Sequence, residues 1–285
     1  MYFMSFTLVI QTIIMGIVQG ITEWLPISST GHMILFDEFM KMQVSDSFME
    51  TFLVVIQFGS ILAVLFLYFG KLNPFTLHAT PGDYKLSGSL SLKKDTISLY
   101  LKVLVAIIPA GVIGLLFEDK IDELFFNSYT VAATLIIYGI LFIVIESKNL
   151  KPKFNDLDTL SYKTAFLIGM FQILALIPGT SRSGSTIIGA TIIGCSRFVA
   201  AEFSFFLAIP VMLGASALKL LKAGFAFTGA EWCTLILGMI VAFAVSVAAI
   251  KFLMGYIRKH DFKGFGYYRI VLGILLIIYF VFIKM

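Results

Sequence analysis

Charge is what this sequence most conspicuously lacks. Charged residues make up 13% of its 285 positions, about half the roughly 25% of an ordinary soluble domain. That scarcity excludes a fold that keeps its whole surface in water. Cysteine is nearly absent: Cys195 and Cys233 stand far apart in apolar stretches and match no CxxC or Cys/His spacing. Neither a disulfide framework nor a zinc site is expected, and both read as small buried apolar residues. Histidine occurs three times, and His78 and His260 lie in charged loops where solvation is expected. No nucleic-acid signature is present, so no nucleic-acid partner is expected. Met1 to Thr7 contains no Lys or Arg, which is unlike the basic start of a cleaved signal, and the N-terminus is expected to be retained.

What the chain has in abundance is apolar bulk. Hydrophobic residues reach 59%, with 29 Phe and 11 Tyr, and the mean hydropathy is +0.97. Six stretches meet the requirement of about 20 apolar residues for crossing a bilayer: 50–69, 99–117, 128–146, 203–222, 232–254 and 266–283. Two others are interrupted. Residues 7–25 run into Pro26-Ile27-Ser28-Ser29-Thr30-Gly31-His32 before a short apolar run to Met40. Residues 163–177 run into Pro178-Gly179-Thr180-Ser181-Arg182-Ser183-Gly184 before a run to Cys195. Each reads as helix, polar break, short helix. Non-helical backbone at membrane depth is tolerated only where protein or a wet cavity surrounds it, so both hairpins are expected to be re-entrant, with their tips inside the protein. The alternative is a full crossing with each break as a surface loop.

The halves resemble each other. A shift of 153 residues places Gly16 on Gly169, Gln19 on Gln172, Ser28 on Ser181 and Gly31 on Gly184. Each hairpin is followed by three spans, and an odd number of crossings turns the second copy upside down, the plan of inverted-repeat transporters. The expected architecture is an all-α integral membrane protein, a single domain over 1–285. It has six spanning helices plus two re-entrant helix-loop-helix hairpins, with repeat 1 over about 7–146 and repeat 2 over about 163–283. With the ends of the first hairpin on one side, that side receives Lys41, Lys120, Lys219, Lys222 and Lys284, and Arg182 falls in the second break. The other Lys and Arg, Arg269 among them, fall on the opposite side, which the positive-inside rule makes cytoplasmic.

Several residues in these breaks carry chemistry. Gln19 and Glu23 share a helix face, and a carboxylate inside an apolar span is a functional candidate by default, unless it is solvated at a helix end. Ser28, Ser29 and Thr30 place hydroxyls beside His32, the layout of a nucleophile near a base; Ser and Thr at a helix start also serve as N-caps. In the second break Arg182 offers a guanidinium that grips phosphate oxygens bidentately. Thr180, Ser181, Ser183 and Ser185 surround it in sequence, and Gly179 and Gly184 free the backbone. A helix starting there would aim its positive end at an anion. Arg182 could equally form a salt bridge with Glu23, and the two readings are compatible. This inventory suits a phosphoryl group better than a neutral solute, with Glu23 and Gln19 able to hold Mg2+ or Ca2+ through oxygen.

The remaining features read as structural. Pro109 and Pro210 are expected to kink their helices. Gly111, Gly114 and Gly214-Ala215-Ser216 are expected to permit close helix contacts. Glu118, Asp119, Asp122 and Glu123 form an acidic extracytoplasmic loop, residues 71–98 form a polar cytoplasmic loop, and Gln57 is a weaker candidate to face the site.

At Gln19-Gly20-Ile21-Thr22-Glu23, Pro26 through His32 and Pro178 through Gly184, the sequence strongly resembles the bacterial undecaprenyl-diphosphate phosphatase family, also called the bacitracin-resistance family. Order, spacing and hydropathy match across the whole chain. The resemblance implies hydrolysis of undecaprenyl diphosphate to undecaprenyl phosphate and inorganic phosphate, recycling the lipid carrier for cell-wall synthesis. It also implies a divalent metal, the bacterial inner membrane and a site open to the extracytoplasmic side. Undecaprenyl diphosphate and membrane lipids are the implied partners, and a homodimer is allowed. Carried over, Glu23 and Gln19 form the metal or water-activating element, Ser29 is the nucleophile assisted by Thr30, and His32 is the acid/base. Arg182, with Ser181 and Ser183, holds the diphosphate, and Ser28, Thr180 and Gly184 complete the binding set. Many family members carry Glu where this chain has Gln19, which shifts weight onto Glu23. The competing reading is an inverted-repeat anion or lipid transporter, or flippase, without hydrolysis.

Overall fold

A computed structural model describes residues 5–224 and 227–283, without the side chains of Ile34, Asp37, Glu38, Phe39, Glu118, Phe282 and Ile283. The expectations on Met1 to Met4, on Lys284 and on the Glu118 side chain fall outside the described residues.

The chain is mostly helical: α1 Phe6–Thr22, α2 Ser29–Phe39, α3 Asp46–Leu67, α4 Phe69–Leu72, α5 Lys94–Phe125, α6 Ser128–Ser147, α7 Tyr162–Gln172, α8 Arg182–Ile193, α9 Arg197–Ala223, α10 Gly229–Tyr256 and α11 Lys263–Ile278. Six segments are long and apolar enough to cross a membrane: α3, α5 over Lys94–Phe117, α6, α9, α10 and Lys263–Val281. These are the six spans expected from the sequence. Most start earlier than the apolar runs do, because a helix begins at its cap rather than at its first greasy residue. Ser45, Ser196 and Thr228 each accept a backbone N–H of the following turn, leaving a donor satisfied that would otherwise be stranded.

Three expectations are corrected. Helix α5 continues to Phe125, so Asp119, Asp122 and Glu123 ride its last turns rather than a loop. Segment 71–98 is not plain loop, and the fold is not purely α. Phe75–Thr76 (β1), Tyr84–Ser87 (β2) and Leu90–Leu92 (β3) pair antiparallel in the order β1-β3-β2. Strands of two to four residues are too short for their alternation to show in sequence. Cys233 is exposed rather than buried, while Cys195 is buried and both thiols are free.

Close helix approaches also lie elsewhere than expected. A Cβ on Gly111 or Gly214 would meet nothing within 4 Å, and one on Gly114 would make ordinary contact with Leu176. The tight crossings use other glycines. A Cβ on Gly16 or Gly20 of α1 would stand 2.9 Å or 2.7 Å from Val241 or Val245 of α10, and one on Gly139 or Gly266 would stand 2.7 Å from the other's carbonyl oxygen. Gly169 of α7 lies against the backbone of Ala106 in α5, and Gly59 of α3 against that of Met239 in α10. Such small residues let helix backbones meet where lipid supplies no hydrophobic drive. Ser216 does make a helix contact, donating to the Val54 carbonyl at 3.1 Å. Pro109 and Pro210 lie within continuous helices.

Helix α9 supplies much of the interior. Phe203, Phe205, Phe206 and Leu207 are fully buried, and Trp24 stands edge-on to Phe205 with centroids 5.3 Å apart. The shorter helices α1 and α2, and α7 and α8, flank the two polar breaks beside this interior.

Candidate active site

Glu23 is the C-cap of α1, and the chain then turns through Trp24 to Ile27 into Ser28. Ser28 has φ 73 and caps α2, accepting from Gly31 N at 3.4 Å. The second break repeats this: Ser181, also at φ 73, caps α8 and accepts from Gly184 N at 3.1 Å. A non-glycine residue in that region costs on the order of 1–2 kcal/mol, so each break is held against a local penalty.

The two breaks meet at their charges. Arg182 Nη2 donates to Glu23 Oε1 at 2.9 Å, with the side chains 12% and 7% exposed. The other carboxylate oxygen, Oε2, accepts from Gln19 Nε2 at 3.0 Å. Arg182 Nη1 donates to the Ser204 carbonyl at 2.7 Å, and the guanidinium lies 5.7 Å from the Trp24 ring centroid. Ser183 Oγ donates to the Glu23 carbonyl at 3.3 Å and lies 3.2 Å from Ser181 Oγ. Thr186 and Ser204 share a hydrogen bond of 2.7 Å, and Ser185 donates to the Arg182 carbonyl at 3.1 Å. Thr180 is fully buried behind this cluster.

Four buried polar groups of these segments have no protein hydrogen-bond partner among the described residues: Arg182 Nε, Trp24 Nε1, Thr180 Oγ1 and the Gln172 amide. A buried donor without a partner costs roughly 1–3 kcal/mol, so Arg182 and Trp24 hold hydrogen-bonding capacity in reserve at the point where the breaks touch.

Ser29 and Thr30 form the first turn of α2. They are half-exposed, and their hydroxyls make no hydrogen bond among the described residues. His32 is buried one turn further on. Its Nδ1 lies 2.7 Å from the Ser28 carbonyl and its Nε2 2.6 Å from the Tyr268 hydroxyl. The imidazole is thus bonded to Tyr268 and not to Ser29. Gln57 bonds its own helix at Leu53 and makes no hydrogen bond to these residues. His78 and His260 are exposed.

Sequence reasoning missed Arg269. Counted there among the cytoplasmic charges, it is 0% exposed on α11. Its Nη2 donates to the carbonyls of Gly179 and Thr180, both at 3.0 Å, and its Nη1 to that of Pro26 at 3.2 Å. Nε points at the Leu135 carbonyl at 3.5 Å, and the guanidinium lies 5.5 Å from the Tyr138 ring centroid. One buried cation therefore ties both breaks together by their backbones. Gly184 makes room for it, since a Cβ there would stand 3.1 Å from Nη1. The signal was available: Arg269 falls inside the run 266–283 read as a span, where a cation is a candidate by default.

Fold and site together define a multi-pass membrane protein with a buried cluster of guanidinium, carboxylate and hydroxyl groups suited to an anionic ligand. Residues 12–275 match the family of the bacitracin resistance protein BacA, and the chain belongs to that family. It is 64% identical to undecaprenyl-diphosphatase 1 of Clostridioides difficile over 95% of this chain and 96% of that protein. It is 60% identical to the undecaprenyl-diphosphatase of Acetivibrio thermocellus over 96% and 98%, and 56% identical to that of Enterococcus faecalis over 96% and 98%.

Proposed function

We propose that this chain hydrolyses undecaprenyl diphosphate to undecaprenyl phosphate and inorganic phosphate, returning the lipid carrier to cell-wall synthesis in the inner membrane of a bacterium. The relatives' names support the substrate, and the contact of Arg182 with Glu23 at 2.9 Å carries the assignment of the site. An anionic phosphate entering at that point would take the guanidinium and free the carboxylate.

In this reading Arg182 grips the diphosphate, using the Nε that has no protein partner, with Ser28, Thr180, Ser181, Ser183 and Gly184 shaping the pocket around it. Ser29 is the nucleophile with Thr30 beside it; neither hydroxyl makes a hydrogen bond among the described residues. His32 moves the proton. Gln19 and Glu23 would hold Mg2+ or Ca2+. The donor set fits a metal completed by its substrate: one carboxylate, and one amide that a half-turn would make an oxygen ligand. No cluster of three or more His, Cys, Asp or Glu forms a cage among the described residues, the usual situation for Mg2+ held partly by phosphate oxygens. Such an ion supplies charge neutralisation at the phosphates.

The two segments α1–α2 and α7–α8 are read as re-entrant hairpins of an inverted repeat, about 7–146 and 163–283 in one membrane domain. The matched caps Ser28 and Ser181, each at φ 73, support this. So does the burial of Glu23 against Arg182. The excess of Lys and Arg on one side favours a cytoplasmic face there and a site opening to the extracytoplasmic side. One chain supplies both breaks, so the chemistry needs no second copy.

The test is phosphate release from undecaprenyl or farnesyl diphosphate by the detergent-solubilised protein. Turnover that stops with EDTA and resumes with Mg2+ or Ca2+ is expected, and micelles exclude vectorial transport as its source. Absence of release with every divalent ion would overturn the reading.

A further inference from the structure

Both ring nitrogens of His32 are engaged, one by the Ser28 carbonyl and one by the Tyr268 hydroxyl. A carbonyl oxygen only accepts, so the 2.7 Å contact with Ser28 O requires the proton on Nδ1. In the neutral ring Nε2 is then a bare acceptor, and its partner at 2.6 Å is the Tyr268 hydroxyl, which donates. The two rings lie parallel, 4° apart in plane, with centroids 5.6 Å apart. His32 is 7% exposed and Tyr268 45% exposed. The phenol therefore caps the only ring nitrogen left for proton exchange and carries that nitrogen's reach outward. The Tyr268 hydroxyl makes no other hydrogen bond among the described residues. Tyr268 also directly precedes Arg269, whose guanidinium anchors this turn of α11 to both breaks, so the phenol is mounted on the element that locates the site.

On the diphosphatase reading above, we infer that Tyr268 is a positioning and proton-relay residue, through which His32 exchanges protons with the reacting oxygens. The attacking O–H, of Ser29 or of water, gives its proton to the Tyr268 oxygen while the Tyr268 proton passes to His32 Nε2. The new O–P bond forms, and the bridging P–O bond breaks with its electron pair left on the lipid phosphate oxygen. The protons then run back, from His32 to Tyr268 and from Tyr268 to that oxygen. If Ser29 attacked, water repeats the same exchange on the seryl phosphate, with the serine oxygen as the leaving group. No proton is left over and no co-reactant beyond water is required.

Tyr268→Phe keeps the stacked ring and removes only the hydroxyl. Its kcat for phosphate release is expected to fall about 100-fold, the lower end of general acid–base catalysis, with KM nearly unchanged. His32→Ala combined with Tyr268→Phe should be no slower than His32→Ala alone, because the two act as one unit. In mixed H2O and D2O the wild-type rate should fall along a curve reporting two protons in flight, and the Tyr268→Phe rate along a straight line. A wild-type kcat in Tyr268→Phe, or losses that multiply in the double variant, would overturn the relay. Nitrogen-15 NMR of the histidines, with His78 and His260 replaced by Gln, decides the pairing without turnover and without the Phe variant. The Nδ1–H tautomer with a strongly hydrogen-bonded Nε2 is expected, and the Nε2–H tautomer would overturn it. If the wild type releases no phosphate at all, the diphosphatase reading fails and the relay with it, whereas a normal Tyr268→Phe enzyme sinks the relay alone.

Discussion

Arg182 and Glu23 are separated by 159 positions in the chain and by 2.9 Å in the fold. Their pairing solves two problems together. Each charge is too costly to leave alone in an apolar interior, and on the proposed reading each acts separately, Arg182 on a phosphate and Glu23 on a metal. The pair holds both ionised groups in place at the junction of the two breaks.

Removing one partner should therefore damage both stability and turnover. Arg182→Ala and Glu23→Ala are each expected to insert in the membrane but to lose about 3–5 kcal/mol of stability and most of their phosphate release. Replacing both by Gln removes the stranded charge and should recover much of the stability without restoring turnover. Thermal unfolding in detergent beside a phosphate assay checks this, and wild-type turnover in either single variant refutes that residue's role.

Neighbouring serines should part company. Ser28→Ala loses the cap of α2 and is expected to cost about 1 kcal/mol. Ser29 makes no hydrogen bond among the described residues, so Ser29→Ala should unfold within about 0.5 kcal/mol of wild type while its rate drops by at least about 100-fold. The same two measurements apply. A retained rate in Ser29→Ala would move the attack to water or Thr30.

Arg269 cannot be replaced by another cation. The ammonium of Arg269→Lys has three donors at one point and cannot span carbonyls contributed by Pro26, Gly179 and Thr180. Unfolding is expected to be easier by about 3 kcal/mol or more, with the unreached carbonyls left buried. A cysteine pair with one member in each break should also crosslink less efficiently in this variant. Wild-type stability together with wild-type crosslinking would show that the breaks hold their places unaided.

Glycines of equal prominence in the sequence should respond oppositely to a methyl group. Gly169→Ala drives a Cβ into the backbone of Ala106, and Gly59→Ala into that of Met239; each is expected to cost about 1–3 kcal/mol. Gly111→Ala and Gly214→Ala enter open space and should be neutral or mildly stabilising, since Ala suits a helix better. Unfolding midpoints of the four variants suffice.

These cases show what could be read from the chain. The six spans were legible because a bilayer imposes length and polarity on every crossing, and the two breaks because Pro, Gly and clustered hydroxyls interrupt that pattern. Glu23 and Arg182 stood out as charges in apolar company. Arg269 did not, because it lies near the start of its span, where a cation passes for an interfacial one. Tyr268 offered no signal either, since its role depends on an imidazole 236 positions away. Gly111 and Gly169 look alike in sequence, and only the helix facing each one separates them. The sheet at 75–92 escaped because strands this brief leave no periodicity.

Arg269 grasps main-chain oxygens, which every amino acid possesses. Positions 26 and 180 can therefore exchange side chains without loosening that grip, so long as the local path of the chain is kept, whereas Gly179, at φ 85, has no room for a Cβ beside Thr134 and Val131. Besides the contacts of Arg182 and Ser183 with Glu23, part of the burden of keeping the two breaks in register falls on one side chain of the last long helix, far along the chain from either break. A truncation that removed this helix would spare every residue of both breaks and still leave them without the strut that sets their spacing.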